Sequence, residues 1–376
     1  MSKKQIPITV LTGYLGSGKT TVINHVLKNQ SGLKVAVITN DMGEINIDAT
    51  LIEKGNSVSL GDESLVALSN GCICCTLRDD LIEQVTQLAE TGRFDYILIE
   101  ASGICEPLPI AQALTLLDDT TEDGRSFKIC RLDTVATVVD AYRLMSEFMG
   151  GETLLHADEL DEEDIARLLV EQIEFCNVII LNKTDLISNE QLLELKSVLH
   201  TLQPFAEIIE TNYGEISPGE IINAHRFNFE KACMSQGWVQ ELEKAKNGEK
   251  EGEEAEYGIN SFVYTRRKPF SRQKLDRWIE EEWPENVVRC KGLAWFSDQN
   301  DTIFLVEQAG KSIAITSFGR WLATGTKREQ AAAFARKPSL KEDWDPDFGD
   351  RKTMLVFIGL HLNKEEISMS LDTCLS

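Results

Sequence analysis

Gly13-Tyr14-Leu15-Gly16-Ser17-Gly18-Lys19-Thr20 fits the spacing G-x-x-x-x-G-K-[ST]. Glycines at those positions let backbone N–H groups wrap a β-phosphate, and a following helix adds partial positive charge at its N-terminus. Lys19 would bridge the β- and γ-phosphates, and the Thr20 hydroxyl would ligate Mg²⁺. Tyr96-Ile97-Leu98-Ile99-Glu100-Ala101-Ser102-Gly103 reads as a buried strand ending in a carboxylate. A carboxylate at the tip of a central strand can face the phosphates and hold Mg²⁺ or a reacting water. Asn182-Lys183-Thr184-Asp185 follows a second buried run. An Asp carboxylate there can accept both N1–H and N2–H of guanine, a donor pair that adenine lacks, so the expected nucleotide is GTP.

A different chemistry is written in Asn70-Gly71-Cys72-Ile73-Cys74-Cys75. Thiolates are soft ligands that favour Zn²⁺, Cu⁺ or Fe–S centres over Mg²⁺. A helix beginning beside them favours thiolate over thiol. One loop can supply two or three sulfurs, so further ligands must come from elsewhere, and Asn40-Asp41-Met42-Gly43-Glu44 is the expected donor segment. Buried thiols and a redox pair are the alternatives for this motif. The remaining cysteines and the five histidines do not cluster.

Both motifs need a scaffold that brings loops together. Ile6–Thr12, Lys34–Thr39, Tyr96–Glu100, Thr134–Val139 and Val178–Leu181 are apolar on both faces, as parallel strands covered by helices are. Helical patterns at Thr20–Lys28, Asp79–Glu90 and Ile165–Phe175 alternate with them, which predicts a doubly wound α/β domain with a mostly parallel sheet. Its expected span is 1–230. A charged linker, 231–257, follows, with Lys244–Tyr257 lacking any apolar face. Beyond it, 258–376 reads as a smaller α+β domain on an antiparallel or mixed sheet. Its strands are expected at Gly258–Arg266, Val287–Phe296, Thr302–Glu307, Ser312–Thr316 and Thr353–Leu360, with helices at Ser271–Glu282 and Lys364–Cys374. Between the last two strands, Lys327–Asp350 reads as a polar stretch.

Thirty-eight basic against 61 acidic side chains give a formal charge of −23. Such a surface repels phosphate backbones and anionic lipid, which argues against nucleic-acid and membrane partners. No apolar run reaches the ~20 residues of a membrane helix, and no signal peptide is legible before the phosphate loop. A cytoplasmic location is expected, where nine cysteines do not imply a disulfide framework.

Taken together, G-Y-L-G-S-G-K-T, N-D-M-G-E, N-G-C-I-C-C, I-L-I-E-A-S-G and N-K-T-D resemble the CobW family of P-loop GTPases, which is grouped with the nickel-inserting GTPases of hydrogenase and urease. The stretches Glu171–Cys176, Val287–Gly292 and Leu355–Gly359 are similar too, and the second domain resembles the CobW C-terminal domain. The motifs look most like the branch associated with zinc limitation. The resemblance implies that GTP or GDP contacts Gly13, Gly16, Ser17, Gly18, Lys19, Thr20 and Thr21, and also Asn182, Lys183 and Asp185. It brings the loop with Cys75, Thr76 and Arg78 to the nucleotide, and assigns zinc to Cys72, Cys74 and Cys75. Many relatives carry a carboxylate where this chain has Thr39, which leaves Glu44 as the expected oxygen donor to zinc, with Asp41 as the alternative. Asp41 joins Lys19 and Glu100 in the expected catalytic set, with Thr20 and Glu100 holding Mg²⁺. The histidine-rich tract of many relatives is absent, so bulk zinc storage is not implied.

The leading expectation is a slow GTPase that couples its nucleotide cycle to zinc delivery to a client protein. The rivals are cobalt handling in corrinoid synthesis, and a zinc buffer or thiol sensor in which nucleotide is structural. Whether the chain pairs with itself stays open.

Overall fold

A computed structural model describes residues 5–29, 32–39, 67–69, 78–117, 129–148, 162–247, 258–310 and 312–376. The chain divides into two units, Met1–Asp158 with Leu168–Gly237, and Glu159–Arg167 with Trp238–Ser376. In the first, a seven-stranded sheet has the order β3-β2-β4-β1-β5-β6-β7. The strands are β1 (Ile6–Thr12), β2 (Val35–Thr39), β3 (Ala67–Ser69), β4 (Tyr96–Glu100), β5 (Cys130–Asp140), β6 (Val178–Asn182) and β7 (Glu207–Glu210). Every pairing is parallel. β1, β2, β4 and β6 are buried along their whole length. This is why they read as continuous apolar runs rather than alternating ones.

Helices α1 (Lys19–Asn29), α2 (Arg78–Thr91), α3 (Pro107–Leu116), α4 (Ala141–Phe148), α5 (Glu162–Glu174) and α6 (Asn189–Leu202) connect the strands. Val22, Ile23 and Val26 of α1 pack into one cluster with Val37, Leu98, Ala136 and Ile180 from four different strands. That contact fixes α1, and with it the loop leading into it, over the middle of the sheet. The strand order reverses at β1, so the loop after β1 opens at the topological switch point where open α/β sheets bind ligands.

The stretch after β7 is tied down at the other end of the sheet. Asp133 is fully buried. Its carboxylate accepts from Tyr96 Oη (2.8 Å), Ala224 N (2.9 Å) and His225 N (3.3 Å). Burial, and secondarily the neighbouring Asp133 charge, push the Tyr96 phenol well above its ordinary range, although the Thr9 hydrogen bond opposes this.

The second unit is built on a five-stranded antiparallel sheet of order β11-β10-β9-β12-β8. Its strands are β8 (Ile259–Arg266), β9 (Val287–Ala294), β10 (Thr302–Ala309), β11 (Ser312–Arg320) and β12 (Thr353–Leu360). One face carries a core of Phe262, Tyr264, Phe270, Phe296 and Phe357 with Leu275 and Trp278 from a helix at Arg272–Glu281 and Leu371 from one at Lys364–Thr373.

Two segments depart from the sequence reading. The stretch read as a charged linker from 231 is helical over Phe229–Met234 and Gly237–Asn247, and Trp238 and Leu242 pack on Val263, Val356 and Ile358. Two apolar side chains spaced one turn apart were enough to seat a helix whose remaining positions are charged. The polar stretch 327–350 contains a helix, Lys327–Arg336, with a Thr326–Glu329 capping box and no buried residue. Its start is set by hydrogen bonds rather than by an apolar face, so hydrophobic periodicity could not reveal it. The sheet left open as antiparallel or mixed is antiparallel throughout.

Candidate functional site

The phosphate loop, residues 13–18, links β1 to α1. Its backbone carbonyls accept from four side chains. Lys19 Nζ donates to Gly13 O (2.8 Å) and Tyr14 O (3.3 Å). Arg143 Nη1, from α4, donates to Leu15 O (3.1 Å), and its guanidinium lies 4.1 Å from the centroid of the Tyr14 ring. Lys183 Nζ donates to Gly16 O (2.9 Å), and Asn182 Nδ2 donates to Ser17 O (2.8 Å). The carbonyls of Leu15, Gly16 and Ser17 are therefore turned toward donors outside the loop, while those of Gly13 and Tyr14 accept from Lys19. A trans peptide points its C=O and the next N–H in opposite directions. The arrangement therefore turns N–H groups toward the enclosed side, while Ser17 N–H closes back on Tyr14 O (3.2 Å). An inward set of N–H groups at a helix N-terminus is an anion cradle. On the side of the loop lined by Val139, Arg143 and Leu169, Ser17 Oγ is buried with no hydrogen-bond partner among the described residues.

Gly18 and Gly103 are required by contact. Gly18 sits at φ +107°, and a Cβ there would lie 2.4 Å from Asn182 Nδ2. Gly103, in the turn after β4, comes so close to the loop that a Cβ would meet Leu15 N at 2.7 Å. Gln172 secures that turn, donating from Nε2 to Gly103 O (3.3 Å) and Cys105 O (3.1 Å).

Thr20 and Glu100 come together. Thr20 Oγ1 donates to Glu100 Oε1 at 3.0 Å, and Glu100 is 3% exposed. A nearly buried carboxylate paired with the first-turn hydroxyl is a donor set suited to a hard, octahedral cation such as Mg²⁺ beside phosphates.

The Asn182–Asp185 motif is anchored just as firmly. Lys183 takes a left-handed conformation, φ +60°. Its ammonium also pairs with Asp140 Oδ2 at 2.6 Å. Asp140 and Asn182 are register partners at the ends of β5 and β6. Asn212 Oδ1 accepts from Thr184 Oγ1 (2.8 Å) and from Asp185 N (3.0 Å), while Asn182 Oδ1 accepts from Gly214 N (3.1 Å). Asp185 itself is exposed.

Of the residues expected from sequence, the structure gathers Gly13, Gly16, Ser17, Gly18, Lys19, Thr20, Glu100, Asn182, Lys183 and Asp185 around one end of the sheet. Thr21 points to solvent on α1. Asp41, Glu44, Cys72, Cys74, Cys75 and Thr76 lie outside the described residues, as does the side chain of Arg78. In sequence, the cysteine motif falls between β3 and α2. Among the described residues, no group of three or more His, Cys, Asp or Glu side chains comes together. Burial disfavours the thiolate that a metal ion needs at Cys176, Cys233, Cys290 and Cys374. Burial pushes the Cys176 thiol up to about 12 and raises Cys290 further.

Sequence reading missed Asp140, Arg143, Asn212 and Gly214. Asp140 carried a signal, a polar residue ending a buried strand in the way that Asn182 does. Asn212 had none, because β7 is exposed at both ends and does not read as a strand.

Comparison with known proteins places these features. The sequence model of the CobW/HypB/UreG nucleotide-binding domain matches residues 7–210, and that of the cobalamin synthesis protein cobW C-terminal domain matches 259–375. A relative from Dictyostelium discoideum, named zinc-regulated GTPase metalloprotein activator 1, is 39% identical over 99% of this chain and 80% of its own. The zinc chaperone YjiA of Escherichia coli is 29% identical over 96% of each chain. A solved structure of Zn(II)-bound YjiA GTPase from E. coli aligns over 99% of each chain at 22% identity, with a TM-score of 0.41, a likeness too loose to carry an argument.

Proposed function

This chain belongs to the CobW/HypB/UreG family of nucleotide-binding proteins and carries that family's C-terminal domain, and from that premise we propose that it is a zinc-linked GTPase metallochaperone. It binds GTP, hydrolyses it slowly, and uses the cycle to deliver zinc to a client metalloprotein. The observation that carries the nucleotide half is the loop whose Leu15, Gly16 and Ser17 carbonyls are held from outside by Arg143, Lys183 and Asn182, together with the Asn182–Asp185 motif locked to it through Asn182. The zinc half rests on the Cys72-Ile73-Cys74-Cys75 motif and on relatives named a zinc-regulated GTPase metalloprotein activator and a zinc chaperone.

In this reading Lys19, 8% exposed and enclosed by the loop, sets a positive charge beside the transferred phosphoryl group. Thr20 and Glu100 would hold Mg²⁺, which when bound offsets charge on the β- and γ-phosphates. Asp185 selects guanine. Cys72, Cys74 and Cys75, with Glu44, take the zinc that is carried, while Asp41 and the segment bearing Thr76 and Arg78 respond to the γ-phosphate. GTP binding and zinc binding are then two ends of one coupling, of about 1–3 kcal/mol, and reciprocal. Without a partner, turnover stays well below ~10 s⁻¹.

The test is GTP hydrolysis by the full chain with and without Zn²⁺, in the wild type and in a Cys72→Ala, Cys74→Ala, Cys75→Ala variant. Zinc is expected to change the wild-type rate and leave the variant's rate untouched. An equal zinc response in both proteins overturns the coupling.

A further inference from the structure

The turn after β7 holds a tyrosine whose setting is not explained by packing. Tyr213 is 75% exposed, and its ring meets no other ring or cation among the described residues. Its backbone is left-handed, φ +55°. A bulky L-residue takes that conformation only where its surroundings enforce it, and such residues concentrate at ligand sites.

The surroundings do enforce it. On one side, Asn212 Oδ1 is bound by Thr184 Oγ1 and Asp185 N. On the other, Gly214 N is bound by Asn182 Oδ1. Thr211 adds two contacts, its N–H to Leu181 O (2.9 Å) and its Oγ1 to Glu215 O (2.9 Å). Gly214 lies against α1 so closely that a Cβ would sit 2.9 Å from Val22 N. Tyr213 is thus pinned at the junction of the phosphate-loop helix and the Asn182–Asp185 motif. In the reading above, the base recognised by Asp185 lies at this junction, since Asp185 N is bound to Asn212. Neither the Asn212 N–H nor the Tyr213 N–H has a partner among the described residues. The turn therefore offers a ring face and two donors to whatever enters.

We propose that Tyr213 is a base-positioning residue whose ring stacks on the purine of the bound nucleotide. This rests on the nucleotide-binding reading above and adds a wall to that site. Stacking is indifferent to which base is present, since every base has a π-face. Tyr213 therefore supplies affinity and orientation for the base, while Asp185 supplies the preference for guanine.

The test compares GDP, ADP and inorganic pyrophosphate by calorimetry on the full chain, using wild type, Tyr213→Phe, Tyr213→Asn and Asp185→Asn. Asparagine tolerates the left-handed backbone, so Tyr213→Asn removes the ring while leaving the turn unstrained. It is expected to weaken GDP by about tenfold or more, the scale of one base stacked on one aromatic ring, with pyrophosphate binding unchanged. Tyr213→Phe is expected to bind GDP like wild type. The proposal is overturned if Tyr213→Asn binds GDP as tightly as wild type. It is equally overturned if GDP and pyrophosphate weaken in parallel, because the residue then acts through the loop. The guanine reading fails on a separate observation, a wild type that binds ADP as well as GDP or an Asp185→Asn variant that keeps its preference.

Discussion

Asn182 is the strut on which the account of the nucleotide site leans, and replacing it gives the sharpest mutational prediction. It is 2% exposed and makes two hydrogen bonds in opposite directions, Nδ2 to Ser17 O at 2.8 Å and Oδ1 from Gly214 N at 3.1 Å. Asn182→Ala removes both. Two neutral hydrogen bonds contribute about 0.5–1.5 kcal/mol each, and each buried group left unsatisfied costs about 1–3 kcal/mol. Water entering the vacated amide space recovers part of that, which leaves about 2 kcal/mol. The loop can relax when empty but must re-form around phosphates, so the loss appears as weaker GDP binding, about 30-fold at 1.4 kcal/mol per tenfold. Asn182→Asp is nearly isosteric and keeps the acceptor for Gly214 N, yet it points a carboxylate oxygen at Ser17 O. It is expected to bind GDP more weakly than Asn182→Ala, because a buried repulsion is worse than a gap. Titration calorimetry of GDP and pyrophosphate against all three proteins reads the result. Equal GDP affinity for wild type and Asn182→Asp would refute the strut, and so would a loss confined to GDP with pyrophosphate untouched.

Gly103→Ala forces a Cβ to within 2.7 Å of the Leu15 backbone nitrogen; GDP affinity should fall about tenfold or more, as expected when backbone rather than a side chain must yield, and calorimetry checks it. Arg143→Ala removes the donor to Leu15 O and the guanidinium over Tyr14. The expected cost is about 1 kcal/mol in GDP binding, only partly recovered by Arg143→Lys because an ammonium has no planar face to stack. In the second unit, hydrogen bonds from Arg266 Nε (2.7 Å) and Nη2 (2.8 Å) hold the Asp372 carboxyl below its ordinary range, and Tyr264 Oη adds to the effect although burial opposes it. A depressed folded-state value stabilises above the unfolded carboxylate pKa and is lost as pH falls through the folded value. Urea melts should therefore show Asp372→Asn less stable than wild type near neutrality, with the gap closing as pH drops below ~4. Both side chains are 37% exposed, so the gap should stay within about 1 kcal/mol.

Much of the first unit could be read from sequence because its strands are buried on both faces. β1 and β4 begin and end where the apolar runs do, and the polar residue that ends such a run, Glu100 or Asn182, marks the rim of the site. What sequence could not supply was the set of groups that hold the loop from behind. Arg143 reaches Leu15 across 128 positions and Lys183 reaches Gly16 across 167, and neither contact leaves a local pattern. The left-handed Tyr213 is hidden for the same reason. A lone tyrosine in an exposed turn has no periodicity, and its meaning comes from anchors on either side. In the second unit the missed helix at Lys327–Arg336 buries nothing, so only its Thr326 and Glu329 spacing could have shown it.

The central claim is that nucleotide state and zinc affinity are coupled. A competition titration of Zn²⁺ against a chromophoric chelator, on the full chain loaded with GDP or with a non-hydrolysable GTP analogue, measures that coupling directly. The account predicts affinities that differ by tenfold or more, about 1.4 kcal/mol, with the difference abolished when Cys72, Cys74 and Cys75 are replaced by Ala. Tight zinc binding of equal strength in both nucleotide states would contradict it.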